Sequence, residues 1–138
     1  MIILAIEFSL ANDNPPRFSS DRIQFNVPEN SPVGWIVGEL NAIDPDEGPN
    51  AKIEYSIVGG ADMKSFALKS RPGDDGVELI TQTEMDYESD KKKYNLIIRA
   101  SSLPLRNDVD VEIYVTGECY LQIFFKIGLQ FWINFRCE

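Results

Sequence analysis

Apolar and polar residues alternate in short stretches along most of this 138-residue chain. The clearest stretches are residues 23–27, 53–57, 94–100 and 109–115, and clusters rich in Gly, Pro, Asn and Asp separate the stretches from one another. No window of ten or more residues has a helical period. Alternation with period two is typical of strands that bury one face. Seven short strands with turn signals between them predict an all-β fold, arranged as an antiparallel sandwich.

The two ends of the chain are apolar, but neither has the pattern of a membrane segment. The first eight residues lack a basic region and include an early acid, so a signal peptide is not predicted. Residues 120–135 are too few and too polar for a membrane span. They alternate instead, with an apolar residue at every odd position from 121 to 135. The alternation predicts a strand, or a hairpin that turns at Gly128, outside the sandwich core.

The charge of the chain is strongly acidic, with 22 Asp and Glu against 13 Lys and Arg and a net charge of −9. Residues 117–138 sum to zero, so residues 1–116 carry the whole excess. An acidic surface repels nucleic acid and attracts cations. The chain has no histidine, which excludes Ser-His-Asp and Cys-His nucleophile systems and zinc sites that use histidine.

Cys119 and Cys137 are the two cysteines of the chain. Their spacing matches neither a redox nor a zinc motif. A disulfide between them cannot be inferred from spacing alone, and two incidental thiols are the favoured interpretation.

Asp, Glu and Asn cluster at the ends of predicted strands, which places them at the poles of a sandwich. Such residues often do no more than form turns, but several of them together also suit calcium, which takes six to eight oxygen ligands. The Asp44–Asp46 turn is not an EF-hand loop, because Pro49 stands at its glycine position and Tyr55 at its twelfth position. Paired carboxylates could serve a small glycoside hydrolase. No other candidate catalytic group accompanies them, so we do not expect an enzyme.

Six motifs in order resemble the cadherin repeat family, and together they cover nearly all of residues 12–116. The linker at residues 10–18 resembles D-x-N-D-N-x-P-x-F, and residues 27–34 are similar to V-x-E-N-x-P-x-G. Residues 42–53 resemble A-x-D-x-D-x-G-x-N-A-x-I, and residues 55–57 follow in register. Residues 85–88 resemble L-D-Y-E, and residues 94–100 match the next strand.

The resemblance implies a seven-stranded Greek-key sandwich, immunoglobulin-like in architecture, in an extracellular adhesion protein whose repeats are joined through Ca²⁺. It implies an upper junction with ligands at Asn12, Asp13, Asn14, Asp44, Asp46 and the carbonyl of Asn50. It implies a lower junction with ligands at Glu29, Asp86 and Glu88. The expected partners are neighbouring repeats in cis and another cadherin in trans, on the extracellular side of the plasma membrane, with no nucleic acid and no small-molecule substrate. The alternative is a calcium-independent sandwich that acts only as a spacer.

Three departures from the family pattern bear on the site. Leu10 stands where the linker has its first Asp, and Ser102 stands where the family has an acid after the sixth strand. By resemblance, one calcium site takes all its protein ligands from the linker and the following repeat. This chain would then supply five of those six ligands, the exception being Ser102. Trp35 lies in the second strand, so it does not fit the anchor of strand-swapping cadherins, and the resemblance is to a non-strand-swapping or protocadherin-like repeat.

The third departure is the missing linker after Val115, where residues 117–121 do not match the family. We therefore expect three segments: the end of a preceding repeat plus the calcium linker (residues 1–17), one cadherin repeat (18–116) and an apolar tail foreign to the family (117–138). This organisation indicates a fragment of a longer protein. The tail is either a gene model read past an exon end or a true alternative terminus.

Overall fold

The computed structural model describes residues 13–46, 52–85 and 91–117, together with the backbone of two further strands at 120–126 and 130–136. The described residues form one 3-10 turn at Met63–Ser65 and eleven strands. In chain order the strands are β1 Arg17–Phe18, β2 Arg22–Pro28, β3 Ile36–Leu40, β4 Ala42–Ile43, β5 Glu54–Gly59, β6 Phe66–Ser70, β7 Val77–Thr81, β8 Lys93–Ser102, β9 Leu105–Thr116, β10 Tyr120–Lys126 and β11 Gln130–Arg136.

Two sheets form the sandwich, which confirms the predicted all-β fold. One has the strand order β2-β9-β8-β5 and the other β3-β7-β6, while β1 and β4 form a short pair. The expectation of purely antiparallel pairing is wrong at one place, because β2 runs parallel to β9 with Arg22 opposite Asp110 and Pro28 opposite Thr116. Strand β2 is the first strand of the two sheets and β9 the last. A parallel pair needs a long connection between its members, and here the intervening strands of the sandwich form that connection.

The core lies between the two sheets and is filled from alternate positions of the strands. Strand β9 contributes every second residue from Val109 to Val115, and β8 does the same from Tyr94 to Ala100. The facing sheet contributes Phe66 and Leu79, both almost fully buried. The rings of Phe66 and Tyr94 meet edge to face across the sheets, 5.4 Å between centroids. The period-two alternation in the sequence is therefore the pattern of burial in the core.

Gly38 of β3 lies directly under the ring of Phe25 of β2, where the two sheets approach each other. A Cβ atom on Gly38 would overlap three ring atoms of Phe25, the farthest of them at 2.7 Å. The glycine is thus required by packing, since real side-chain atoms do not approach so closely.

Replacing Gly38 by alanine should lower the free energy of unfolding by about 1–3 kcal/mol, because the added methyl group forces the ring of Phe25 out of its packed position. Urea denaturation of the two proteins measures this difference. In a Phe25→Leu background, where the smaller side chain can yield, the same change should cost less. Equal costs in both backgrounds would contradict the proposed overlap.

Strands β10 and β11 form a two-stranded antiparallel sheet that is separate from both sheets of the sandwich. Their register runs from Tyr120 opposite Arg136 to Lys126 opposite Gln130. The predicted hairpin is therefore present, while its turn at Gly128 lies outside the described residues. Among the described side chains, every member of the hydrophobic core comes from residues up to Val115.

Ending the chain after Thr116 should leave the sandwich folded and raise its solubility. The removed strands pair only with each other, and an apolar strand pair outside a core promotes aggregation. Circular dichroism and the soluble fraction after expression check the two parts of this expectation. A truncated chain that no longer folds cooperatively would show that the tail belongs to the sandwich.

Candidate metal centre

Asn14 and Asp46 join the linker to the turn that follows β4. The backbone N–H of Asn14 donates to Oδ2 of Asp46 at 3.2 Å, and its side-chain amide donates to Oδ1 at 3.1 Å. The pairing of β1 with β4, which sets Arg17 opposite Ile43, brings these two segments together. Two residues that lie 32 positions apart in the sequence therefore share one pole of the sandwich.

The carboxylate of Asp44 has one oxygen that accepts a hydrogen bond and one oxygen without a hydrogen-bond partner among the described residues. Oδ1 accepts from the backbone N–H of Asp46 at 2.9 Å, which is the turn-forming role expected of Asp. Oδ2 is buried and has no hydrogen-bond partner. A buried carboxylate oxygen without a donor is costly, and a hard divalent cation is the ligand such an oxygen suits best. The carboxylate of Asp44 therefore fits a hard divalent cation such as calcium.

Ser102 ends β8 at this same pole, which we call the upper pole. Ser101 pairs with Glu54, so the end of β8 lies beside the start of β5, and the N–H of Ala42, two residues before Asp44, donates to the hydroxyl of Tyr55 in β5 at 2.8 Å. Ser102 is buried, with 4% of its surface exposed. The upper pole thus holds Asn14, Asp44, Asp46 and Ser102. The predicted ligand Asp13 is exposed in the linker, and the predicted ligands Asn12 and Asn50 lie outside the described residues.

Glu29 lies at the opposite, lower pole, at the end of β2. Its backbone N–H donates to the carbonyl of Thr116 at 2.8 Å, and the N–H of Asn30 donates to the carbonyl of Met85 at 2.6 Å. Asn30 adopts a left-handed backbone, with φ of 60°, which asparagine tolerates better than most residues. The turn therefore holds Glu29 beside the residue that precedes Asp86. The predicted ligands Asp86 and Glu88 themselves lie outside the described residues.

No group of three or more Asp, Glu, Cys or His side chains within the described ranges is placed to hold a metal ion. Of the predicted upper-pole ligands within these ranges, Asp13, Asp44 and Asp46 are acidic, and Asp13 is exposed in the linker. At the lower pole only Glu29 is described. The site as described is therefore a partial set of oxygen ligands.

Asp62 is a buried acid that the sequence motifs did not single out. Its carboxylate accepts from the backbone N–H of Asn95 at 3.0 Å and forms an ion pair with Lys91. Lys93, in the same basic run, pairs with Glu112 at 2.9 Å and lies over the ring of Tyr114. Lys91 and Lys93 therefore each form an ion pair at the entry into β8, although both side chains remain exposed. Only the tertiary contacts reveal this role.

Replacing Asp62 by alanine should destabilise the fold by about 1–3 kcal/mol, because the N–H of Asn95 loses its acceptor. Thermal or urea denaturation measures the loss. Asp62→Asn keeps an acceptor oxygen and should cost less than alanine. If the asparagine and alanine variants were equally destabilised, the hydrogen bond to Asn95 would not be the cause.

None of the described helical segments has the length and apolar character needed to cross a membrane.

Comparison with known families gives a match to the family model described as "Cadherin domain", over residues 23–116. "Protocadherin-like wing polarity protein stan" of Drosophila melanogaster is 57% identical over 105 residues, which are 76% of this chain and 3% of that protein. "Cadherin EGF LAG seven-pass G-type receptor fmi-1" of Caenorhabditis elegans is 40% identical over 114 residues, 82% of this chain and 4% of that protein. The chain thus spans only a few per cent of the length of these relatives.

Solved structures of protocadherin ectodomains have the same fold. The protocadherin GammaB4 extracellular domain superposes with a TM-score of 0.68 at 35% identity, over 78% of this chain and 16% of that chain. A second structure, described as a protocadherin gammaB7 EC3-6 cis-dimer, has a TM-score of 0.60 at 33% identity, over 74% of this chain and 23% of that chain. The structural match therefore covers about three quarters of the chain.

Proposed function

Because the chain belongs to the cadherin family, we propose that it is a calcium-binding extracellular module of a calcium-dependent, homophilic cell-cell adhesion protein. The observation that carries the proposal is the buried Oδ2 of Asp44, which has no hydrogen-bond partner among the described residues. The neighbouring carboxylate of Asp46 holds the linker at Asn14. Cadherin repeats bind calcium between such linkers and turns, and the charges at this pole are of the required sign.

In the proposed upper site, Asp44 and Asp46 supply the carboxylates. The carbonyl groups of Asn14 and Asn50 and the side chain of Asn12 would complete it. A bound calcium ion would neutralise the acids and fix the linker against the sandwich. The hydrogen bonds that Asn14 donates to Asp46 support this arrangement, because they hold the linker against the turn that follows β4.

Ser102 leaves this site with two carboxylates where the family pattern has three. Calcium affinity depends on the number of charged ligands and on the rigidity of the site, and extracellular modules bind at about 0.1–1 mM. We therefore expect one weak site at about the millimolar end of that range. Asp13 and the lower-pole acids Glu29, Asp86 and Glu88 would serve sites that need ligands from neighbouring repeats.

The proposed organisation is the end of a preceding repeat plus the calcium linker at residues 1–17, one repeat at 18–116 and a tail at 117–138. The module would act through a longer cell-surface protein, as in the relatives described as receptors. Its partners would be neighbouring repeats in cis and a second cadherin in trans. The solved gammaB7 structure described as a cis-dimer supports partners of this general kind.

A calcium titration followed by the melting temperature separates this proposal from a calcium-independent spacer. With a dissociation constant near 1 mM, adding about 10 mM calcium should raise the melting temperature by roughly 5 °C, because only the native state binds the ion. Magnesium at the same concentration controls for ionic strength, and its smaller size suits such a site less well. Equal responses to both ions, or none to either, would favour the spacer.

A carboxylate hydrolase is the less well supported function. Its candidate site is a cavity of about 450 Å³ beside β5 and the β6–β7 connection, and Glu54, Asp74 and Asp75 line this cavity. A hydrolase needs one acid with a raised pKa. The N–H of Gly76 and the guanidinium of Arg71 instead hold the pKa of Asp74 below its usual range. Asp74 is thereby suited to closing its turn rather than to donating a proton.

A further inference from the structure

The outer face of the three-stranded sheet β3-β7-β6, on the side away from the core, carries a row of apolar residues. Strand β7 buries every second residue from Val77 to Thr81, which places Ile80 on the outer face. The pairing registers set Ile80 between Ile36 of β3 and Ala67 of β6, and directly opposed residues of a sheet lie on the same face. Ile36 keeps 51% of its surface exposed. Exposed apolar residues that lie side by side and are rimmed by polar ones are typical of protein interaction surfaces.

A row of charged residues lies next to the apolar row on the same outer face. Lys69 of β6 opposes Glu78 of β7, and Glu78 in turn opposes Glu39 of β3. Arg71 forms an ion pair with Glu39, whereas the described part of the chain holds no ion-pair partner for Lys69 or Glu78. Like charges directly opposed across two strands are destabilising, so a cation beside Glu78 would stabilise this row. The outer face thus offers one basic and one acidic side chain that are adjacent and available to a partner.

We propose that this outer face binds a second copy of the chain, with Lys69 of each copy beside Glu78 of the other. A two-fold axis that runs along the strands between β6 and β7 exchanges these two strands. It sets Lys69 over Glu78 twice in one interface, and it sets the small Ala67 over the larger Ile80. The charges and the sizes of the facing side chains are then both complementary. The inference rests on the proposed homophilic function and names the surface that carries it.

The same axis fixes the relative direction of the two copies. Rotation about a line parallel to the strands leaves the direction from the lower pole to the upper pole unchanged. The upper pole of one copy therefore lies on the same side as the upper pole of the other. Two modules on one cell surface have this orientation, whereas modules from facing cells approach from opposite directions. The outer face is thus assigned to association in cis, and both poles stay accessible to linkers and ions.

The test is an exchange of charges in the full chain, kept reduced and free of calcium and followed by sedimentation velocity. The unaltered chain should form dimers. Lys69→Glu and Glu78→Lys should each weaken self-association by about tenfold or more, because each substitution brings like charges together at both contacts of the dimer. A mixture of the two variants should form heterodimers, since every such contact between them again joins an acid to a base. Native mass spectrometry, with one variant labelled with a heavy nitrogen isotope, identifies the heterodimer.

Arg106→Glu and Asp110→Lys are the matched controls, because both residues are exposed on β9 in the other sheet. Each control should retain the self-association of the unaltered chain. Three outcomes would overturn the proposal: a monomeric unaltered chain, single variants that self-associate as the unaltered chain does, or a mixture without heterodimers. Association through the β10–β11 hairpin would give the second outcome. Stronger self-association by Glu78→Lys, the less acidic variant, would indicate an effect of net charge alone and would also overturn it.

The outcome for the outer face is separable from the outcome for calcium. Because the measurement contains no calcium, its failure would leave the calcium proposal standing. A missing calcium response would likewise leave the association through Lys69 and Glu78 intact.

Discussion

Replacing Asp44 by alanine should abolish the calcium-dependent rise in melting temperature and the heat of calcium binding. Asp44 supplies one of the two carboxylates of the proposed upper site, and its buried Oδ2 has no hydrogen-bond partner among the described residues. With only Asp46 left, the charge that holds the ion is halved. A site already near the millimolar limit then falls below measurable affinity. Isothermal titration calorimetry and thermal unfolding with and without calcium measure the loss.

Asp110→Ala is the matched control for this change. Asp110 is an exposed acid on β9, so the substitution removes the same net charge at a distance from the upper pole. This variant should keep the calcium response of the unaltered chain. A response that survives in Asp44→Ala, or that disappears equally in Asp110→Ala, would show that calcium binds elsewhere or through net charge alone.

Replacing Ser102 by aspartate should tighten the same site by on the order of tenfold, because it restores the third carboxylate of the family pattern. Ser102 is buried at the end of β8, so an unneutralised acid there is costly in the absence of the ion. The variant should therefore be less stable than the unaltered chain without calcium and gain more on its addition. Melting temperatures across a calcium series measure both effects.

Ser101→Asp places the same charge one residue away, on the other face of β8, where the hydroxyl of Ser101 is next to the carbonyl of Glu54 at 3.4 Å. It should change calcium affinity little. Equal tightening by both substitutions would indicate a general effect of charge. No tightening by Ser102→Asp would remove Ser102 from the proposed ligand set.

Much of the fold could be predicted from the sequence because burial in a sandwich follows the period of the strand. The alternation at residues 94–100 and 109–115 became the buried faces of β8 and β9, and the Gly, Pro and Asn clusters became turns. The motif residues Asn14, Asp44 and Asp46 were likewise predicted together, and their hydrogen bonds place them at one pole. The sequence was enough for these features, because turn formation and the alternation of side chains along a strand both depend on neighbouring residues.

Other features depend on which strands come together, and no local pattern carries that information. The parallel pairing of β2 with β9 joins segments about 88 residues apart, Arg22 and Asp110 among them. Asp62 is an ordinary loop acid in the sequence, yet folding buries it against Asn95 and Lys91. Gly38 shows no turn signal and is required only because the ring of Phe25 lies over it.

The hairpin after the sandwich illustrates the same division. The sequence by itself determined an alternating segment over residues 120–135 with a glycine near its middle. It could not determine the register of the pairing, because a shift of one residue between two strands moves every side chain to the other face. The structure gives that register, from Tyr120 opposite Arg136 to Lys126 opposite Gln130. Period and turn chemistry are local properties of a chain, whereas register, burial of a charge and the space around a glycine exist only once distant segments are packed together.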